Sequence, residues 1–195
     1  MIPGDLMYVD YNANGVITDA TQHNRVPVNY LSRPHNTYGW TMGFQWKNFN
    51  FSMMWYGVQG VYKNLIDEML YQLRYGIEGN YNTFPGVLDR WTPATAATAD
   101  MPSLHTYGSY RIWNEFNSTW GYRNASYLRL KNLEVSYSLN KEFAGKLRLS
   151  NCQFYANGNN LLTFTKFSKY MDPENNSVTS YPMVKRYNLG VRIGF

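Results

Sequence analysis

The sequence predicts an all-β fold of the transmembrane-barrel type, contributing about five long antiparallel strands, and three observations predict it. Four segments alternate apolar and polar residues with a period of two, which gives a strand one apolar and one polar face, and a fifth is strand-like. These segments run about 9 to 14 residues, longer than the usual globular strand of about 5 to 6 and close to the 9 to 11 that cross a bilayer as tilted β. The connections are lopsided: short or moderate at 47–49 and 140–151, long at 62–124 and 166–181. With strands alternating up and down, every long connection falls on one side, the arrangement of outer-membrane barrels.

Residues 1–36 are expected to be a loop. In "TYGWTMGFQWK" (37–47), Tyr38, Trp40, Met42, Phe44 and Trp46 share a face opposite Thr37, Gly39, Thr41, Gly43, Gln45 and Lys47. "FNFSMMWYGV" (49–58) follows at once, with Phe49, Phe51, Met53 and Trp55 on its apolar side. The pair reads as a hairpin turning at Lys47 and Asn48, within a unit 37–61. The long loop 62–123 carries Leu65, Ile66, Met69, Leu70 and Leu73 on one helical stripe that Gly76 can end, so it is expected to contain a short helix. The last three strands fall in 124–195. "KNLEVSYSLN" (131–140) alternates Leu133, Val135, Tyr137 and Leu139 against Glu134, Ser136, Ser138 and Asn140. "NCQFYANGNNLLTF" (151–164) is strand-like with ambiguous phase, and its Asn-Gly-Asn-Asn run suggests a bulge. "RYNLGVRIGF" (186–195) sets Tyr187, Leu189, Val191, Ile193 and Phe195 against Arg186, Asn188, Gly190, Arg192 and Gly194. Five strands do not close a barrel, whose small members need eight, and an open edge in lipid leaves backbone groups unpaired. The segment is therefore expected to belong to something larger.

Composition narrows the function classes. Aromatics make up 17% of the chain, yet mean hydropathy is −0.48, so apolar surface is spread along strands rather than gathered into helices. The net charge of +5 is not clustered; its densest point is Lys185 and Arg186, which argues against nucleic acid as a partner. Cys152 stands alone, excluding an intrachain disulfide and a thiol metal cluster. No run approaches the roughly 18 apolar residues of a membrane helix. "MIPGDLMYVD" is acidic and broken by Pro and Gly, unlike a signal peptide, so an export signal is expected on sequence outside this chain.

Catalytic constellations are absent: His23, His35 and His105 are scattered, and Asp67, Glu68, Asp172 and Glu174 read as solvated loop charges. The protein is expected not to be an enzyme. "DYNANGVITDAT" (10–21) fits much of a calcium-loop template, with Asp10, Asn12 and Asn14 at positions one, three and five and Gly15 at the turn. Position twelve is Thr21, so the bidentate carboxylate is missing, and Asp19 is the nearest substitute. Two readings stay open there: a bound Ca2+, or an Asx-rich turn held by its own side chains. Trp40, Trp46, Trp55 and Tyr187 read as interface girdle residues. Trp91, Tyr107, Tyr110, Trp113, Trp120 and Tyr122 form either a loop core or stacking surfaces for sugar rings. Trp91, Trp113 and Trp120 are the candidates for substrate contact.

"PGDLMYVDYNANGVIT", "RWTP", "ASYLRLKNLEVSYSL", "NGNNLLTFTKFSKYMDPE" and "YPMVKRYNLGVRIGF" occur in that order over nearly the whole chain. In these segments it resembles the C-terminal portion of the SusC/RagA family of TonB-dependent transporters from Bacteroidota outer membranes. It departs from the family after "RWTP", where "ATAATADMPSLH" replaces an Asn-Pro-rich run, and at Asn14, where Asp is commoner. The resemblance implies a plugged 22-stranded barrel in the outer membrane, with extracellular loops. It implies TonB-driven import of oligosaccharides or peptides and a SusD-like surface lipoprotein as lid. It further implies no catalytic residue and no organic cofactor, with the TonB-contacting segment, the plug and the other strands preceding this chain. In outer-membrane barrels a last strand ending in an aromatic is the address read by the assembly machinery, which assigns that role to Tyr187, Leu189, Val191, Ile193 and Phe195. Two alternatives stand beside this reading: a soluble β-sandwich carbohydrate-binding module, and a split subunit that completes a transporter barrel in trans.

Overall fold

A computed structural model describes residues 2–17, 26–65, 88–104, 118–177, 180–181 and 183–195. It contains a five-stranded antiparallel sheet built from β1 (Asn36–Trp46), β2 (Phe49–Gln59), β5 (Tyr127–Ser138), β6 (Asn151–Phe164) and β7 (Arg186–Gly194), in that spatial order. A two-stranded ribbon, β3 (Tyr62–Asn64) with β4 (Tyr122–Asn124), lies between β2 and β5 in sequence. Chain order equals spatial order in the large sheet, so it is an up-and-down meander. The chain divides into two compact units, Met1–Ser32 with Tyr62–Asn124, and Arg33–Val61 with Ala125–Phe195; the second contains the meander.

The expected hairpin is present. Trp46 pairs with Phe49 across a two-residue turn whose first residue, Lys47, sits at φ 53°. At the same end of the sheet, residues 139–150 join β5 to β6 through a six-residue helix, α1 (Lys141–Lys146). This helix closes with Arg148 at φ 57° and a hydrogen bond from the Leu149 amide to the Ala144 carbonyl, a left-handed C-terminal cap. Alternation alone does not reveal α1, because a helix this short shows no period. The helix expected in the 62–123 loop falls on residues 66–87, outside the described residues.

The strands are 11, 11, 12, 14 and 9 residues long. Eleven residues at about 3.3 Å each span about 36 Å, enough to cross a hydrocarbon layer of about 30 Å at the usual tilt. The register puts apolar residues opposite one another on a single face. Phe44 pairs with Phe51, Phe51 with Val135, Val135 with Ala156 and Ala156 with Leu189. The anticipated irregularity exists and involves β5 as well as β6. Register shifts by one residue between Leu130 and Asn132 on both sides of β5, and Asn160 in β6 takes φ 54°. The extra residue, Lys131, lets Leu128 and Leu130 keep the same face as Leu133, Val135 and Tyr137, although their numbering changes parity.

The first unit is organised by turns. Gly4, at φ 92°, lies so close to the Trp91 ring that a Cβ there would come within 2.5 Å of it. The Ser103 amide donates to the Gly4 carbonyl at 2.8 Å, and the Ser103 hydroxyl donates to Asp5 at 2.8 Å. At "RWTP" (90–93) and the two residues after it, the Thr92 amide and Thr95 hydroxyl close a turn at 2.8 Å, and that hydroxyl also donates to the Arg90 carbonyl. Tyr30 packs against Tyr62 and Tyr122, with centroids 4.9 and 5.1 Å apart.

Candidate functional site

The sheet has two chemically opposed faces. On one, Trp40, Phe44, Trp46, Phe49, Phe154, Leu162, Phe164 and the β7 row all remain exposed. Leu189 is 86% exposed and Phe195 95%. A continuous apolar surface on this scale is unusual in a soluble monomer. A sandwich would bury such a face against a second sheet. Aromatic pairs lie along it, Phe44 with Phe51 at 5.0 Å, Phe49 with Tyr137 at 4.8 Å and Trp55 with Phe164 at 6.2 Å.

The other face is a hydrogen-bonded polar wall. Asn188 donates to Asn157 at 2.7 Å, Asn159 to Asn132 at 2.6 Å, and Gln153 to Ser136 at 3.1 Å. Arg192 donates to Gln153 at 3.0 Å, lies 4.3 Å above the Tyr155 ring and reaches Glu134 at 3.7 Å. Gly190 makes room for that ring, since a Cβ there would meet the Tyr155 hydroxyl at 2.4 Å.

At the end of β5 away from α1, the polar face carries a buried charge cluster. Tyr127, Arg129 and Lys131 occupy alternate positions, and residues 165–177 fold back over them. Arg129 is 1% exposed and meets Asp172 at 2.6 Å and Glu174 at 3.6 Å. Lys131 Nζ lies 2.7 Å from both Glu174 carboxylate oxygens. Asp172 also shapes its own loop: its Oδ1 accepts the Glu174 amide at 2.9 Å and its carbonyl accepts the Asn175 amide at 3.0 Å. Phe167, 1% exposed, anchors the preceding turn. These contacts correct the sequence expectation for Asp172 and Glu174. They are paired and mostly buried (18% and 13% exposed), not solvated loop charges. The pairing spans 43 residues, and no local pattern reports it.

The other predicted residues distribute as follows. Tyr187, Leu189, Val191 and Ile193 share the exposed apolar face, which Phe195 continues in sequence. In the 10–21 loop, Asp10 accepts the Gly15 amide at 2.7 Å, Asn12 the Asn14 amide at 3.3 Å and Asn14 the Val16 amide at 2.8 Å. Gly15 is at φ 77° and Ala13 at φ 55°. The second Asp10 oxygen is buried with no hydrogen-bond partner among the described residues, which suits a hard cation. Asp19 lies outside the described residues, among which no group of three His, Cys, Asp or Glu is assembled. Trp91 packs on Gly4, and the Trp120 ring donates to the Asp100 carbonyl at 3.0 Å beneath Arg123. Trp113, Tyr107, Tyr110, His23, His105, Asp67 and Glu68 lie outside the described residues.

No family model matches the chain. It is 27% identical to TonB-dependent receptor P3 of Formosa agariphila, over 99% of this chain and 19% of the receptor. TonB-dependent receptor P26 of the same organism is also 27% identical, over 100% of this chain and 20% of that protein. The chain thus spans about one fifth of the length of the curated relatives it matches. Among solved structures, it superposes on the RagAB peptide importer in its open-open state with a TM-score of 0.70 and 26% identity, covering 96% of this chain and 20% of that one. The closed-closed state gives a TM-score of 0.69 at the same identity and coverage. Transporters and receptors, not enzymes, are what it matches. The chain is thus similar over its whole length to one fifth of a TonB-dependent receptor of the SusC/RagA type, and it fits the C-terminal part of that barrel.

Proposed function

We propose that the chain is part of an outer-membrane active transporter that imports peptides or glycans, powered through TonB and capped by a SusD-like surface lipoprotein. The observation that carries this reading is the two-faced meander: long strands with an exposed apolar face and a hydrogen-bonded polar face. In a barrel the apolar face meets lipid, while the polar wall with Arg192, Glu134 and the Asn rows faces a wet lumen. The short connections at 47–48 and 139–150 then lie on the periplasmic side, and the long excursions are extracellular. The neighbouring RagAB structures are peptide importers, which favours a peptide cargo; the family resemblance also admits oligosaccharides.

The free Asp10 oxygen supports a Ca2+ ion in the 10–21 loop, held by Asp10, Asn12 and Asn14 with Asp19. It would order an extracellular loop and take no part in chemistry.

The full-length protein should fractionate with outer membranes as a heat-modifiable barrel, and uptake of labelled peptides or oligosaccharides should vanish when TonB is removed. Recovery of residues 33–195 as a stable soluble monomer would defeat the reading.

A further inference from the structure

A cavity of about 670 Å³ opens on the polar face where β2, β5 and β6 meet the stretch leading into β7. That volume falls within the range of small-ligand sites. Its polar lining is Tyr56, Lys131, Asn132, Asn159, Asn160 and Arg186, and among the described residues no carboxylate lines it.

Three features separate it from ordinary barrel wall. The β5 bulge turns Lys131 and Asn132 toward the same face, where strict alternation would send one of them into the apolar row. Opposite them, Asn160 holds a left-handed backbone at φ 54°, and its side-chain amide is fixed by the Val184 carbonyl at 3.2 Å. Such irregularities gather where a side chain must be re-aimed at a ligand. The third feature is charge. Lys131 is matched by Glu174, but Arg186 is exposed and has no acidic partner among the described residues. The cavity is therefore a donor-rich, net positive hollow with an unused guanidinium at its edge.

A guanidinium offers two parallel N–H donors that match the two oxygens of a carboxylate, and neighbouring carboxamides add further donors. We propose that this cavity is a solute subsite for a carboxylate-bearing group, with Arg186 as its anchor. The inference rests on the transporter reading and narrows its cargo to solutes with a free carboxylate, carried either on an acidic peptide or on a uronic-acid sugar.

The test uses the full-length barrel in detergent and calorimetric titration with two matched pairs. One pair is triglutamate and triglutamine peptides; the other is trigalacturonate and its methyl ester. Wild-type protein is expected to bind the carboxylated member of one pair at least about tenfold more tightly than its neutral partner, as a charged hydrogen bond provides. The responding pair identifies which backbone carries the carboxylate. Arg186→Ala should erase the preference and Arg186→Lys should keep part of it. Wild-type protein with no preference in either pair, or a preference intact in Arg186→Ala, would overturn the subsite. Heat-dependent gel mobility on the same samples separates the two failures. An assembled barrel without preference overturns the subsite alone, whereas absence from the outer membrane overturns the transporter reading and the subsite with it.

Discussion

Replacing Arg129 with Ala should release the loop that folds over β5 without dismantling the sheet. Arg129 is 1% exposed and touches Asp172 at 2.6 Å and Glu174 at 3.6 Å. Its removal leaves two mostly buried carboxylates, against which Lys131 is the remaining cation among the described residues. Breaking a buried pair by deleting one partner costs about 3–5 kcal/mol, because the remaining charge stays uncompensated. At about 1.4 kcal/mol per decade this is an increase of about 10²- to 4 × 10³-fold in loop opening. Hydrogen exchange at the Glu174 and Asn175 amides reads that opening, since both are held by Asp172. Asp172→Asn should cost less, about 1–3 kcal/mol, because Arg129 keeps Glu174. Arg192→Ala is the control: its contact with Glu134 is 3.7 Å long with the arginine 53% exposed, a geometry worth about 0–1 kcal/mol. Exchange at Glu174 and Asn175 within about threefold of wild type in Arg129→Ala would refute the reasoning. Equal effects from Arg129→Ala and Arg192→Ala would do the same.

Further outcomes follow from the two-faced sheet and its neighbouring loops. Leu189→Arg places a charge on the apolar face and should lower folding free energy in lipid vesicles by about 2–4 kcal/mol near mid-membrane. Asn188→Arg, one residue away on the polar face, should stay within about 1 kcal/mol of wild type; similar losses for both would contradict the assignment of faces. Deleting Phe195 should reduce the amount of full-length protein in the outer membrane, measured by fractionation; an unchanged amount removes it as an assembly signal. Added Ca2+ should protect the 10–21 loop from proteolysis, and Asp10→Ala should abolish that protection. Identical cleavage with and without a chelator would dismiss the cation.

The strands were legible because alternation is local information: each residue carries the polarity of the solvent it meets, so Tyr187 through Phe195 announce their face without reference to any partner. The β5 bulge was legible too, although the phase was read only from Leu133 onward. Leu128 and Leu130 are even-numbered while Leu133, Val135 and Tyr137 are odd, and a change of parity within one amphipathic strand means an inserted residue. The charge cluster was not legible, for the opposite reason. Asp172 and Glu174 sit in a polar stretch with no periodicity, and their partners lie 43 residues earlier. Arg129 looks in sequence like any other polar-face residue of a barrel strand. Whether such a residue faces open water or a folded-back loop depends on where residues 165–177 return, and strand alternation does not encode that path. Local pattern therefore separates the two faces, and long-range pairing decides which part of the polar face is sealed. Arg129 and Arg186 mark the two outcomes. Both are polar-face arginines; the first is enclosed by carboxylates, and the second is left open beside a cavity that has none among the described residues.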